Sequence, residues 1–64
     1  MFTVLIQYKD GTEKLVASSA EIDYERTDVG GLLAIGDEEY ELVKGDNVFV
    51  MNASGQTVRR YNLR

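Results

Sequence analysis

The fold is decided by residues 2–17, which read FTVLIQYKDGTEKLVA. Over the first eight of these residues the side chains alternate with a period of two, which is typical of a β strand and not of a helix. One alternating set is Phe2, Val4, Ile6 and Tyr8, and the other is Thr3, Leu5, Gln7 and Lys9. The stretch therefore predicts a strand at the start of the chain.

A turn follows this strand at Asp10-Gly11. Aspartate and glycine accept the positive φ angles of a two-residue type I′ turn, whose twist suits a β hairpin. We therefore predict a hairpin in which the strand returns directly after Gly11. The cross-strand pairs of this prediction are Lys9 with Thr12, Ile6 with Leu15, Leu5 with Val16 and Val4 with Ala17.

The next stretch supports two interpretations. Ser18-Ser19-Ala20-Glu21 has the form of a helix capping box, whereas Ile22 and Tyr24 alternate with acidic residues as in a strand. No helical apolar face continues beyond Tyr24, so we predict a strand, with a short helix near residues 19–26 as the alternative. The segment from Thr27 to Gly31 is predicted to be a loop.

A second hairpin is predicted around Gly36-Asp37. Leu33 and Ile35 precede this turn, and alternating residues follow it, which is the pattern of two strands joined by a tight turn. The alternation places Glu39 and Glu41 on the outward side of the second strand.

A third hairpin is predicted after a turn at Lys44 to Asn47. Its own turn is Asn52-Ala53-Ser54-Gly55, and its strands are residues 48–51 and 57–63. Either the two valines of Val48–Met51 or its phenylalanine and methionine face the core. The length of the turn decides between them, because a slip of one residue exchanges the two faces.

The overall composition agrees with short strands joined by glycine turns. The chain has 64 residues, six glycines and no proline. Five or six closely spaced strands without a convincing helix predict an all-β fold, a single antiparallel meander over residues 1–64 that curls into a partly open, SH3-like barrel. A domain of this size buries a small core, so we expect marginal stability.

The residue types exclude most enzyme chemistry. The chain has no cysteine and no histidine, which removes disulfides, thiol nucleophiles, imidazole acid-base catalysis and the usual zinc, haem and iron-sulfur ligands. Gly30-Gly31 is not followed by the Lys-Ser/Thr of a phosphate loop. We therefore predict a protein that is not an enzyme and that holds no metal or organic cofactor.

The net charge of −4 argues against the general attraction of basic domains to nucleic acid and anionic membranes. No apolar stretch has the length of a membrane span or of a signal-peptide core. The expected protein is cytoplasmic, is not bound to a membrane, and has another protein as its partner, with nucleic acid the less favoured partner.

Charge is segregated along the chain. Residues 21–46 hold nine acidic and two basic residues, a net charge of −7. Clustered carboxylates can bind calcium or a basic partner, although the EF-hand pattern is absent and solvent-facing acids that discourage strand pairing are the plainer interpretation. The candidate partner-binding residues are Asp37, Glu38, Glu39 and Glu41.

Residues 47–64 hold three arginines and no acid. Guanidinium groups bind phosphates and carboxylates in a bidentate manner, and tyrosine stacks on bases. Neighbouring Arg59 and Arg60 would point to opposite faces of a strand, so the plainer interpretation is two separate surface arginines. The candidate nucleic-acid-binding residues are Arg59, Arg60, Tyr61 and Arg64.

Two short stretches resemble known families. Ile22-Asp23-Tyr24-Glu25 resembles the acidic-aromatic strip of SH3 domains, whose aromatic groove takes polyproline ligands, but this chain lacks the tryptophan that walls that groove. Lys44–Val50, which reads KGDNVFV, is similar to the start of KOW-type barrels that contact RNA and ribosomal partners. No function is carried over from either resemblance.

The leading hypothesis from the sequence is a non-enzymatic protein-protein interaction module. It would be a small acidic inhibitor or adaptor that acts through a charged face or a strand edge. The alternative is a small barrel that binds RNA or single-stranded nucleic acid through its basic C-terminal strand.

Overall fold

A computed structural model describes residues 1–19 and 21–63. These residues form seven β strands and no helix, which confirms the predicted all-β class with more strands than the expected five or six. A helix long and apolar enough to cross a membrane is absent from the same residues. The strands are β1 (Phe2–Gln7), β2 (Glu13–Ser18), β3 (Ile22–Thr27), β4 (Gly30–Ile35), β5 (Glu38–Val43), β6 (Asn47–Met51) and β7 (Thr57–Asn62).

The strands form two antiparallel sheets. One has four strands in the order β2-β1-β6-β7, and the other has three in the order β3-β4-β5. Within each sheet consecutive strands pair with each other. In addition β1 pairs with β6, which places the first hairpin of the chain beside the last one. No ladder joins the two sheets in the described part of the chain, so the barrel is not closed.

The first hairpin is confirmed, but its turn is one residue longer than predicted. The N–H of Tyr8 donates to the carbonyl of Thr12 at 2.8 Å, so the turn contains Lys9, Asp10 and Gly11. Gly11 adopts a φ of 94°, as expected for the left-handed residue of a three-residue hairpin loop.

This longer turn shifts the register of the hairpin by one residue. Val4 lies opposite Val16, and Leu5 lies opposite Leu15. Val4 is buried, whereas Leu15 faces outwards and is exposed. The predicted pairs of Lys9 with Thr12, Ile6 with Leu15, Leu5 with Val16 and Val4 with Ala17 are therefore wrong.

The strands β3 and β4 form a hairpin where the sequence predicts a strand followed by a loop. β3 confirms the predicted strand, and the alternative of a short helix near residues 19–26 is wrong. Ala20, which belongs to the predicted capping box, lies outside the described residues. The loop predicted from Thr27 to Gly31 is also wrong, because Thr27 pairs with Gly30 and leaves a two-residue turn between them.

The two remaining predicted hairpins are confirmed. β4 and β5 turn at Gly36-Asp37, and β6 and β7 are joined by the predicted glycine turn. The structure also fixes the register that the sequence left open. Val48 and Val50 are buried and face the core, so Phe49 and Met51 face outwards.

The core lies between the two sheets. Each sheet contributes apolar side chains that alternate along its strands, and tyrosines pack at the margins of the core, including a stacked pair, Tyr24 and Tyr61. The sheets are thus held together mainly by side-chain packing, the dominant favourable term in folding. The buried core residues are Val4, Ile6, Ile22, Leu33, Ile35, Leu42, Val48, Val50 and Leu63.

Candidate functional site

The outward face of the three-stranded sheet is acidic. Its inward positions carry core residues such as Leu33 and Leu42, so the alternate positions point away from the core. Across β3, β4 and β5 the outward rows are Asp23, Ala34 and Glu39; Glu25, Leu32 and Glu41; and Thr27, Gly30 and Val43. We call the four carboxylates Asp23, Glu25, Glu39 and Glu41 the acidic face.

The acidic face has a regular geometry because the strands are paired in register. Carboxylates on β3 and β5 are separated by the width of β4, about 10 Å, and those on one strand are about 7 Å apart. All four are exposed, and half-buried Leu32 and Ala34 lie between them. None of the nine outward residues is lysine or arginine, so the face concentrates negative charge.

The structure divides the predicted acidic cluster. Glu39 and Glu41 lie on the acidic face, which confirms the outward orientation predicted for them. Glu38 points to the other side of β5, where it accepts a hydrogen bond of 2.5 Å from the hydroxyl of Tyr40. That hydrogen bond raises the pKa of Tyr40, because ionisation would remove the proton that Tyr40 donates to Glu38. Asp37 lies in the turn before β5.

Two members of the acidic face were not among the predicted site residues. Asp23 and Glu25 lie on β3, some fifteen residues before Glu39 and Glu41, and only the pairing of both strands with β4 brings them to the same face. Their alternation with Ile22 and Tyr24 already indicates that both carboxylates point outwards from β3. Placing them beside Glu39 and Glu41 would also have required the two-residue turn that pairs β3 with β4.

The predicted basic residues do not form one patch. Arg59 is paired with inward-facing Val50, whereas Arg60 points outwards with its guanidinium 5.3 Å from the centre of the Phe49 ring. The ring of Tyr61 stacks on Tyr24, with centroids 4.4 Å apart and planes inclined by 20°. One face of Tyr61 is therefore already covered. Arg64 lies outside the described residues.

Two open hollows lie along the seam where β3 faces β7. The first, of about 540 Å³, is lined by Arg59 together with Glu21 and Asp23, so acidic groups face this arginine. The second, of about 380 Å³, has no acidic residue among the described residues that line it, which are Tyr24, Arg26, Gly30, Arg60, Tyr61, Asn62 and Leu63. Two of the predicted residues, Arg60 and Tyr61, both line this second hollow.

Sequence reasoning also missed the one buried charged residue of the described chain, Asp46, which is 2% exposed. Its Oδ1 accepts a hydrogen bond of 2.8 Å from the N–H of Lys9, and its Oδ2 accepts one of 2.9 Å from Val43. Its carbonyl accepts from Leu63 at 3.1 Å. These contacts tie three separate segments to one corner of the fold, so the role of Asp46 is structural.

The described residues offer no cluster of three or more histidine, cysteine, aspartate or glutamate side chains arranged to hold a metal ion. Comparison with protein-family models, with curated proteins and with solved structures gives no match.

Proposed function

We propose that the protein is a non-enzymatic interaction module that binds a basic surface of another protein through its acidic face. The observation that supports this proposal is the array of four carboxylates, which are held on two strands around an apolar centre with no basic residue among them. Carboxylates accept charge-assisted hydrogen bonds from lysine and arginine.

The geometry of the array defines the partner that fits it. A partner surface with lysines or arginines about 10 Å apart would meet carboxylates on both β3 and β5 at once. Half-buried Leu32 and Ala34 supply a small apolar contact at the centre, as in interfaces with an apolar core and a polar rim. An acidic surface of this kind also steers basic partners during encounter. An adaptor or a small inhibitor could both act in this way.

A pair of matched charge reversals tests this proposal. We expect Glu39→Lys with Glu41→Lys to abolish retention of a basic partner by a tagged copy of the protein, because like charges then face each other across the interface. The control is Asp28→Lys with Asp37→Lys, which changes the net charge by the same amount at exposed turn positions outside the acidic face. The measurement is quantitative mass spectrometry of the retained proteins, with circular dichroism as the check on folding.

The control variant should retain the same partner, and raising the salt concentration should release it from the unmodified protein. A partner that both variants retain equally would show that the acidic face is not the binding surface. The same experiment detects other classes of partner, since nuclease-sensitive material would point to nucleic acid.

The second candidate function is binding of RNA or single-stranded DNA. The observation in its favour is the acid-free hollow lined by Arg26, Arg60 and Tyr61. Two observations disfavour it. Tyr61 already stacks on Tyr24, which covers one face of its ring, and the net charge of −4 repels phosphate groups. Nucleic-acid affinity depends mainly on neutralised phosphates, and two or three arginines give a salt slope of only about −1.4 to −2.1 on single strands.

We therefore expect short single-stranded oligonucleotides to bind more weakly than about 100 μM at near-physiological salt, the weak end of non-specific binding. Fluorescence anisotropy with labelled RNA and DNA measures this directly. Micromolar affinity that is lost in Arg60→Gln and kept in Arg59→Gln would contradict this expectation and favour the hollow as a nucleic-acid site.

A further inference from the structure

The outward face of the four-stranded sheet carries a cluster of apolar side chains beside polar ones. Val4, Val48 and Val50 point into the core, so the alternate residues of the same strands point outwards. Across β2, β1, β6 and β7, the central row is Leu15, Leu5, Phe49 and Arg60. The row on one side is Glu13, Gln7, Asn47 and Asn62, and the row on the other begins with Ala17, Thr3 and Met51.

This face leaves apolar area in contact with water. Leu15 is 66% exposed and Met1 is 76% exposed, and both line an open hollow of about 490 Å³ together with Thr3, Met51 and the turn after β6. Contiguous exposed apolar surface on a small soluble protein is typical of an interaction site. We call this surface, made of exposed Leu15 and half-buried Leu5, Phe49 and Met51, the apolar face.

We propose that the apolar face binds the apolar face of a second copy of the chain, forming a symmetric dimer with its two-fold axis parallel to the strands. Among the described residues of these outward rows, the charged ones are Glu13 on β2 and Arg60 on β7, which lie on opposite edge strands of the sheet. Rotation about this axis brings the acidic edge of one copy next to the basic edge of the other, so the surface is complementary to itself. This inference does not depend on the proposed function, because it uses the other sheet.

The charges select the orientation of the two copies. With the axis parallel to the strands, β2 of one copy lies over β7 of the other, so Glu13 and Leu15 approach the partner's Arg60. With the axis across the strands, β7 lies over β7, and the two copies of Arg60 face each other, which is unfavourable for like charges. In the favoured orientation Leu5 lies over the partner's Phe49, and the reverse contact is equivalent.

The size of the face sets the expected strength of the dimer. Four strands and three rows give a face of roughly 19 by 17 Å, and two such faces with their rims bury on the order of 1,000 Å². That area is at the low end for specific interfaces, so we expect a dissociation constant of about 1 to 100 μM. The dimer would leave both acidic faces on its outer sides, where each could bind a partner.

Sedimentation equilibrium tests the dimer with a pair of matched variants. We expect the weight-average mass of the unmodified chain to rise from 7.2 kDa toward twice that value as its concentration increases. Leu15→Lys should raise the dissociation constant at least about tenfold, because it places a charge inside the interface. Val29→Lys is the control, since Val29 is 67% exposed, as Leu15 is, but lies in the β3–β4 turn away from the apolar face.

A charge exchange tests the orientation without disturbing the apolar centre. Glu13→Arg and Arg60→Glu should each weaken the dimer, and the variant with both substitutions should recover at least half of the loss, because opposite charges then meet again. Circular dichroism and the thermal midpoint confirm that each variant is folded.

The proposal is overturned by a chain that stays monomeric at about 500 μM, well above the expected dissociation constant. A dimer indifferent to Leu15→Lys, or a double variant no better than the single ones, overturns it as well.

Discussion

Asp46→Ala is expected to destabilise the fold by about 2 to 4 kcal/mol, because it removes both acceptors of a buried carboxylate and leaves two backbone N–H groups without partners. These N–H groups belong to Lys9, in the turn between β1 and β2, and to Val43, at the end of β5. The loss is a large fraction of the stability of a small domain. Urea unfolding followed by circular dichroism measures it as a lower midpoint.

The effect should reflect burial and not merely the number of hydrogen bonds. Asp10 is the matched control, because its carboxylate also accepts two hydrogen bonds, from the N–H and the hydroxyl of Thr12 at 2.9 and 2.6 Å, but it is exposed. These bonds lower the pKa of Asp10, the hydroxyl contributing most. Asp10→Ala should leave the urea midpoint nearly unchanged, because water replaces the lost partner.

Asp46→Asn separates the loss of an acceptor from the loss of volume. The amide keeps one oxygen acceptor and turns a donor toward the second N–H, so we expect a destabilisation between that of Asp46→Ala and zero. Equal midpoints for Asp46→Ala and Asp10→Ala would contradict the structural role that we assign to Asp46.

The strands of this protein could be predicted from the sequence because alternation of side chains is a local property. Each predicted hairpin is present, and each contains a glycine turn in the predicted place. The register of the first hairpin could not be predicted, because Asp10-Gly11 suits both a two-residue turn and the last two positions of a three-residue turn. Only the hydrogen bond between Tyr8 and Thr12 decides between them.

The candidate site could be predicted only in part, because its residues are brought together by pairing between strands that are distant in sequence. Glu39 and Glu41 follow from alternation within β5, but their neighbours on β3 require the complete order of the sheet. Asp46 is the opposite case. In the sequence it is an ordinary aspartate in a Gly-Asp turn, and its burial depends on where Lys9 and Val43 lie in the folded chain.

The role of the glycine pair Gly30-Gly31 could not be predicted from the sequence either, because it depends on steric contacts between strands. A pair of glycines in sequence favours a loop, yet both residues belong to β4 and are buried. The reason is close approach, which is one of the positional meanings of glycine within a strand. A Cβ on Gly31 would lie 2.6 Å from the ring of Tyr24, so the bare backbone makes room for the tyrosine that stacks on Tyr61.

Gly30→Ala is the second substitution with a large expected effect, about 2 to 4 kcal/mol of destabilisation. A Cβ at Gly30 would lie 2.4 Å from the carbonyl oxygen of Leu42 and 2.6 Å from the Cα of Val43. These atoms belong to the backbone of β5, the strand paired with β4 at this point. The backbone cannot move away without breaking the ladder, so we expect a lower urea midpoint and loss of pairing at the end of the sheet.

Two other glycines serve as controls for this prediction. Gly55 has a φ of 87° and open space where its Cβ would lie, so Gly55→Ala should cost only about 1 kcal/mol of backbone strain. At Gly31 the obstructing atoms belong to the side chain of Tyr24, which can rotate away, so Gly31→Ala should cost less than Gly30→Ala and weaken the near-ultraviolet signal of the stacked tyrosines.

If Gly30→Ala costs no more than Gly55→Ala, the close approach of β4 to the backbone of β5 is wrong. The two-residue turn between β3 and β4 would then need revision, together with the placement of Asp23 and Glu25 on the acidic face.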